Sequence, residues 1–175
     1  MSHNQIKVQL PPSAERIQYY ALDLSFNNFD GHIPNLDPTH LKHLDLSNNF
    51  FFGPIPLSLA AANGISFISL SNNHLSGTIA PFHSYNLTSF QVLDLSSNNL
   101  GGRLPLFNSP QLVVLDLSSN NFSGHILNSV ESLTKLQSLH LRNNSLTGTI
   151  PCIIANNWSF LISVKTGYGV TYLHG

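Results

Sequence analysis

Serine, histidine and aspartate, the side chains of hydrolytic catalysis, recur throughout this 175-residue sequence. Four of the six aspartates, each with the serine two residues later, belong to one repeated phrase, Leu-Asp-Leu-Ser, so they are supplied by the repeat rather than gathered for chemistry. The sequence also lacks the Gly-x-Ser-x-Gly turn that exposes a nucleophilic serine in one large hydrolase class. We therefore predict that the chain is not an enzyme.

Metal and cofactor sites are not predicted either. His40 and His43 are three residues apart, but a junction between a loop and a strand does not align them as a helix would, and no third ligand is nearby. Cys152 is the only cysteine, which excludes an internal disulfide and a cysteine zinc site, and we interpret it as a small buried filler. Gly101-Gly102-Arg103 belongs to the repeat and is not a phosphate loop.

The composition indicates one folded domain with a neutral surface. Hydrophobic residues make up 42% of the chain, charged residues only 9%, and the net charge is -1. Such a chain has no positive field to attract phosphates or anionic lipid, so nucleic acid is not an expected partner. The sequence shows neither an apolar stretch of signal-peptide length at its start nor a run of about 18 apolar residues.

One six-residue phrase recurs at regular intervals. Leu22-Asp23-Leu24-Ser25-Phe26-Asn27 has five later counterparts, whose asparagines follow one another by 22, 24, 25, 22 and 24 residues. These intervals match the period of leucine-rich repeats. Each copy continues with an apolar residue, a glycine and a second apolar residue. The recurring asparagines are Asn27, Asn49, Asn73, Asn98, Asn120 and Asn144.

The repeat predicts an α/β solenoid. Alternation along a Leu-x-Leu strand turns both leucines inward, and stacking buries them between neighbouring repeats in a parallel sheet on the concave face. Each recurring asparagine is expected to bond backbone groups at the turn, and each glycine to permit a backbone angle or close approach that a Cβ would block. On the convex side we expect irregular, 3-10 or short-strand segments with little helix.

The spacing also predicts the organisation of the chain. We assign residues 1–164 to the solenoid and 165–175 to an irregular tail. Within the solenoid, a partial repeat covers 6–21, six full repeats cover about 22–161, and a degenerate seventh strand covers 162–164. The short connections at 34–41 and 105–112 should be the least helical. The segments that begin near Pro56, Pro81 and Leu127 have room for one helical turn each.

The full pattern, L-x-L-S-x-N-x-L-x-G-x-I-P, resembles the plant-specific class of leucine-rich repeats. That class occurs in receptor-like proteins, receptor kinases and polygalacturonase inhibitors. Phrases such as Leu115-Asp116-Leu117-Ser118-Ser119-Asn120 look most like the receptor-like proteins that perceive elicitors. The resemblance implies a non-catalytic ectodomain at the extracellular face of the plasma membrane. It would capture a peptide, protein or glycan and work with co-receptor kinases.

Two alternatives stay open. The chain resembles secreted inhibitors of cell-wall hydrolases through the same repeat, and it could also be a truncated gene product without function. The resemblance implies cysteine-paired caps, a signal peptide and a membrane span, none of which is seen in this sequence. We therefore interpret the chain as an interior segment of a longer solenoid.

Strand residues that face away from the leucines define the expected contact surface. Its aspartate column would suit a cation or a basic peptide, although Leu-Asp-Leu-Ser is the ordinary text of this repeat. Departures from that text place apolar side chains in the middle of the stack and basic ones in the last full repeat, either as a protein contact surface or as neutral variation. The candidate contact residues are His43, Asp45, Phe67, Ser69, Val92, Asp94, Val114, Asp116, His140 and Arg142.

Four Asn-x-Ser/Thr sequons would permit N-linked glycans in a secreted protein. Asparagine-rich repeats also generate such sequons by chance. The four acceptors are Asn86, Asn121, Asn143 and Asn157.

Overall fold

Every repeat contributes one short strand to a sheet that runs along the stack. The computed structural model describes residues 9–60, 64–79, 89–126, 130, 132–148, 161–166 and 169–173. With strands numbered in chain order through both sheets, the first sheet contains, from edge to edge, β1 (Ala21–Asp23), β3 (His43–Asp45), β5 (Phe67–Ser69), β7 (Val92–Asp94), β9 (Val114–Asp116), β11 (Ser138–His140), β13 (Leu161–Thr166) and β14 (Gly169–Leu173).

The first seven of these strands are parallel, and equivalent residues of successive repeats lie side by side. Leu22 is opposite Leu44, and Leu44 is opposite Ile68. This register follows from the repeat, because only pairing without a shift keeps every central apolar side chain on the buried face. The prediction of a parallel-sheet solenoid with little helix is confirmed.

The end of this sheet differs from the sequence-based expectation. The seventh strand is present, but it covers Leu161–Thr166 rather than 162–164. The prediction of an irregular tail is wrong for residues 169–173, because β14 pairs antiparallel with β13. Val170, Thr171 and Tyr172 are residue types that favour strands. The expectation failed because it followed the repeat pattern, and a hairpin strand does not carry that pattern.

A second parallel sheet lies beyond the turn that follows each concave strand. It consists of β2 (Asp30–Gly31), β4 (Phe50–Gly53), β6 (His74–Gly77), β8 (Asn99–Arg103), β10 (Asn121–His125) and β12 (Ser145–Thr147). Burial alternates along these strands, so Phe51 is fully buried while Phe50 and Phe52 are exposed. The short strands expected outside the concave face therefore join into one continuous sheet.

The core fills the space between the sheets and the convex connections. It consists of leucine, isoleucine and phenylalanine side chains from every described repeat. Phe29 and Phe51 stack in neighbouring repeats, with ring centroids 6.1 Å apart. Burial of each large apolar side chain stabilises the fold by roughly 1.5–3 kcal/mol. Stability thus accumulates from one repeat interface to the next.

The recurring asparagines tie neighbouring repeats together. The Asn49 amide nitrogen donates to the carbonyl oxygens of Leu46 and Ser47 in its own repeat and of Leu24 in the preceding one. Its amide oxygen accepts the backbone N–H of Phe29 at 2.9 Å. The same arrangement recurs at Asn73, Asn98, Asn120 and Asn144. Donor and acceptor must sit on one short side chain, which is why asparagine recurs here.

Glycine is favoured at or just after the end of strands of the second sheet for two reasons. At Gly53 the backbone φ is +80°, and a Cβ there would lie 2.4 Å from a ring carbon of His32 in the preceding repeat. At Gly148 φ is +90°, and a Cβ would lie 2.5 Å from His125 Nδ1. The positive φ strains any other residue at these positions, and an added Cβ would also force the histidine ring to move.

Within the residues that the structure describes, the convex connections contain two short helices. A 3-10 helix covers Pro12–Arg16, and helix α1 covers Leu57–Ala60, after Pro56 as expected. The connections at 34–41 and 105–112 contain no helix. The expected turns near Pro81 and Leu127 lie outside the described residues, as do residues 6–8 of the partial repeat. In the described part of the chain, no helix is long and apolar enough to span a membrane.

Candidate functional site

The concave sheet arranges its outward side chains in columns. Because paired residues on neighbouring parallel strands are about 4.8 Å apart, a ligand that crosses the strands meets one side chain of each column per repeat. The first column contains Ala21, His43, Phe67, Val92, Val114 and Ser138. The second contains Asp23, Asp45, Ser69, Asp94, Asp116 and His140.

The first column is apolar and aromatic in its middle. The rings of His43 and Phe67 are stacked, with centroids 4.3 Å apart and planes 10° from parallel. Val92 and Val114 continue the column on the next two strands, and all four side chains are half-buried. They were expected to be exposed, but packing against one another covers part of each. The four side chains form a partly buried, mostly apolar surface.

The aspartates of the second column hold the turn that ends each strand. One carboxylate oxygen of Asp45 accepts the backbone N–H of Ser47 at 2.9 Å, and the bond recurs at Asp23, Asp94 and Asp116. At Asp23, the hydrogen bond from the Ser25 hydroxyl has the largest effect on the carboxyl and lowers its pKa, and the bond from the Ser25 backbone N–H lowers it further. Burial raises this pKa by a smaller amount. Each of these bonds engages Oδ1. The column therefore combines a structural role with a row of negative charge.

Ser69 interrupts the row of carboxylates. It was expected at the contact surface, but only 6% of it is exposed. Its hydroxyl lies 3.3 Å from the Ser71 hydroxyl, in the place where other repeats have a carboxylate bonded to the turn. A short side chain between longer neighbours is shielded from solvent, so Ser69 is unsuited to direct ligand contact.

The last full repeat makes the concave face basic. His140 Nε2 lies 2.7 Å from the Ser138 hydroxyl, and Arg142 is exposed just beyond the strand. Ser138 was not among the expected site residues, although it occupies the same repeat position as Phe67 and Val92. The second column thus ends in the imidazole of His140, and the guanidinium of Arg142 lies two residues farther along the chain.

The sequons and the potential metal ligands are only partly within the described residues. Asn121 is exposed on β10, and Asn143 is exposed with its amide nitrogen 3.3 Å from the Ser119 hydroxyl. Asn86, Asn157 and Cys152 lie outside the described residues. Across the described ranges, no group of three histidine, cysteine, aspartate or glutamate side chains is arranged to hold a metal ion.

Comparison with known proteins relates the chain to one family. The family model described as Leucine Rich Repeat matches residues 40–61, 89–109, 111–133 and 135–157, which together span about half of the chain. Receptor-like protein 54 of Arabidopsis thaliana is 39% identical over 130 residues, covering 74% of this chain and 16% of that protein. Receptor-like protein 32 of the same plant is 39% identical over 159 residues, covering 86% and 18%. The chain thus spans less than a fifth of these relatives.

Solved structures agree with this relationship. The ectodomain of the Arabidopsis thaliana receptor kinase GASSHO1/SCHENGEN3, in complex with CASPARIAN STRIP INTEGRITY FACTOR 2, has a TM-score of 0.85 and 30% identity, covering 95% of this chain and 20% of that one. The Arabidopsis receptor kinase HAESA, in complex with the peptide hormone IDA and the co-receptor SERK1, has a TM-score of 0.83 and 32% identity, covering 94% and 29%. The stacked strands therefore match the ectodomain fold of plant receptors.

Proposed function

The chain belongs to the leucine-rich repeat family, and on that premise we propose that it is a non-catalytic recognition module of a plant cell-surface receptor. Its concave face binds an extended peptide or a peptide-like segment of a protein. The observation that carries the proposal is the half-buried, mostly apolar column of His43, Phe67, Val92 and Val114 beside a row of carboxylates.

The chemistry of the two columns supports a peptide that is apolar and basic. The apolar column offers surface that a ligand can bury, at about 25 cal/mol per Å². The carboxylates beside it favour lysine and arginine, whereas Arg142 at the far end favours a carboxylate of the ligand. A peptide lying across the strands would therefore bind in one direction.

Two further elements of the proposal concern the whole receptor. The similar structure of HAESA contains a peptide hormone and a co-receptor, which supports a co-receptor kinase as a partner of the protein that includes this chain. Absence of catalysis is supported by the similarity to receptor-like proteins, and by the aspartates lying at strand-ending turns that the repeat itself requires. We also propose the exposed acceptor Asn121 for an N-linked glycan, whereas a glycan at Asn143 would stand beside Arg142 and argue against that end of the contact surface. Peptide mass spectrometry of secreted protein shows which acceptor is occupied.

Selection from a library of random 12-residue peptides tests the concave face. Peptides enriched on the full chain are expected to contain basic and apolar residues together with a carboxylate near one end, and to bind Phe67→Ser and Arg142→Glu at least tenfold more weakly. Serine is the residue of repeat six at the position of Phe67, so this variant should remain folded. Leu106→Ser, at an exposed convex position, is the matched control and should bind as the unchanged chain does.

Melting midpoints of the three variants within a few degrees of the unchanged chain would show that the loss concerns binding. Undiminished binding of the selected peptides to both concave variants would contradict the proposal, because it would place their contact elsewhere.

A further inference from the structure

The outward face of the second sheet departs from its own repeat in one place. Outward residues at the first position after the recurring asparagine are Asn28, Phe50, His74, Asn99, Asn121 and Ser145. Those at the third position are Asp30, Phe52, Ser76, Gly101, Ser123 and Thr147. Phenylalanine occurs only in the second repeat, at both positions, where the other repeats have polar residues or glycine. The internal repeats thus show that the fold does not require these two rings.

The two phenylalanines form a continuous exposed surface with two histidines. Phe50 is 50% exposed and Phe52 is 45% exposed, next to each other on the same face of β4. The ring of Phe52 lies 4.6 Å from that of His32, and the ring of Phe50 lies 5.9 Å from that of His74. We call these four residues the aromatic patch. Exposed apolar surface of this kind marks binding sites.

The patch is almost free of charge. Residues 28–33, 50–55 and 74–79, which carry β2, β4 and β6, contain Asp30 but no lysine or arginine. An anionic ligand would find no lysine or arginine here to pair with. The first sequon of the sequence is at Asn86, so no N-linked glycan of residues 1–85 would cover the patch. Its ligand should be neutral.

The geometry limits the size and type of the ligand. The backbone of β4 pairs with β2 on one side and β6 on the other, so a peptide cannot add to it as a further strand. A whole aromatic side chain has a surface of 150–250 Å², so the two half-exposed rings offer roughly 200 Å². A stable protein partner needs about 800 Å². The patch therefore suits a small ligand held by projecting side chains.

We propose that the aromatic patch binds a neutral oligosaccharide, independently of the peptide site proposed for the concave face. The C–H groups of a sugar ring carry partial positive charge and stack on the electron-rich faces of Phe50 and Phe52. Its hydroxyl groups donate hydrogen bonds to the carboxylate of Asp30. The imidazoles of His32 and His74 can both donate to and accept from these hydroxyl groups. The aromatic faces thus match the C–H groups of a sugar ring, and the polar groups beside them match its hydroxyl groups.

Titration of the full chain with three sugars tests the proposal. Cellohexaose and the hexamer of N-acetylglucosamine are neutral, whereas hexagalacturonate has a similar size and carries carboxylates. Isothermal titration and saturation-transfer NMR should detect saturable binding of at least one neutral hexamer, and at least tenfold weaker binding of hexagalacturonate.

The variants Phe50→Asn and Phe52→Ser replace each ring by a residue found at the same position in other repeats. Each variant should weaken the neutral hexamer by about threefold to tenfold, following the 0.5–1.5 kcal/mol of an aromatic contact, and the double variant by more than tenfold. Leu106→Asn, which removes exposed apolar surface elsewhere, and Phe67→Ser on the concave face should leave sugar binding unchanged.

Three results would overturn the proposal. They are failure of both neutral hexamers to bind at several millimolar, equal binding by the double variant, and preference for hexagalacturonate. Self-association in sedimentation experiments that the double variant abolishes would also overturn it, because the patch would then be a contact between copies of the chain. Failure of the peptide experiment would leave this result unaffected, since the two surfaces lie on different sheets.

Discussion

Replacement of Asn98 by alanine tests the role of the recurring asparagines. Asn98 is 7% exposed, and its amide nitrogen donates to the carbonyl oxygens of Leu70, Leu95 and Ser96. Its amide oxygen accepts the backbone N–H of Leu75 at 2.9 Å. Alanine removes all four bonds and leaves a small cavity between two repeats.

The structure indicates which of these losses matters most. The three carbonyl oxygens keep other donors, since Asn73 bonds Leu70 at 3.1 Å and Asn120 bonds Leu95 at 2.9 Å, while the backbone N–H of Asn72 bonds Ser96 at 3.0 Å. The N–H of Leu75 loses its acceptor inside the core.

An unpaired buried donor costs about 1–3 kcal/mol. The cavity and the lost shared bonds add roughly 1 kcal/mol. We therefore expect a loss of about 2–4 kcal/mol. For a chain of this size, that loss corresponds to a fall of roughly 5–15 °C in the melting midpoint.

Urea and thermal unfolding followed by circular dichroism measure this loss. Asn99→Ala is the control, because Asn99 is exposed on the outward face of β8, and it should change stability by no more than about 0.5 kcal/mol. Asn98→Asp keeps an acceptor for the Leu75 N–H but sets carboxylate oxygen against carbonyl oxygens, so it should be at least as damaging as alanine. Equal midpoints for Asn98→Ala and Asn99→Ala would refute the reasoning, as would an Asn98→Asp variant as stable as the unchanged chain.

Three further outcomes follow from the structure. Gly53→Ala should unfold at a lower urea concentration than Gly77→Ala. Both positions have positive φ, but only at Gly53 does the new Cβ meet the ring of His32, at 2.4 Å. Adding His32→Ala should bring the two midpoints together, and a difference that persists would exclude the ring as its cause. The pKa of Asp23 is lowered in the folded state from its ordinary value of 3.8, so its carboxylate stabilises the fold above that pH and loses this effect as the pH falls through the lowered pKa. Asp23→Asn should therefore flatten the pH dependence of the unfolding free energy below about pH 4. Identical pH curves for the two proteins would contradict this. Asp94→Asn keeps an oxygen that accepts the backbone N–H of Ser96 but removes a charge. It should therefore weaken binding of the selected basic peptides more at low salt than at high salt, while the melting midpoint stays unchanged. A salt-independent effect on binding would argue against charge recognition.

Much of the fold could be predicted because the repeat makes it a local problem. Two leucines separated by one residue must lie on the same side of a strand. The same phrase recurs about 22–25 residues later, where its leucines must again be buried on that side. The positions of His43 and Phe67 in one column follow directly from that alignment. The alignment does not contain how much neighbouring side chains cover each other. It therefore could not predict that Phe67 is half-buried and that Ser69 is shielded from solvent.

Features outside the repeat pattern could not be predicted in this way. The hairpin strand Gly169–Leu173 carries no repeat phrase, so no periodic signal marked it. The exposure of Phe50 and Phe52 required knowledge that the segment after the asparagine is a strand with an inward residue between two outward ones. Their difference from the other repeats was visible in the sequence, but its position on a surface was not.

The sequence alone determined the repeat unit, the side on which each leucine lies, and the positions of the asparagine and glycine that close each turn. It did so because these depend on backbone alternation and hydrogen-bonding groups within about 25 residues. The tertiary structure alone decided the pairing of the second sheet, the extent to which Ser69 is buried, and the joining of Phe50 and Phe52 with histidines from two other repeats. Those features depend on how closely one repeat approaches the next, which is set by the packing of the whole stack.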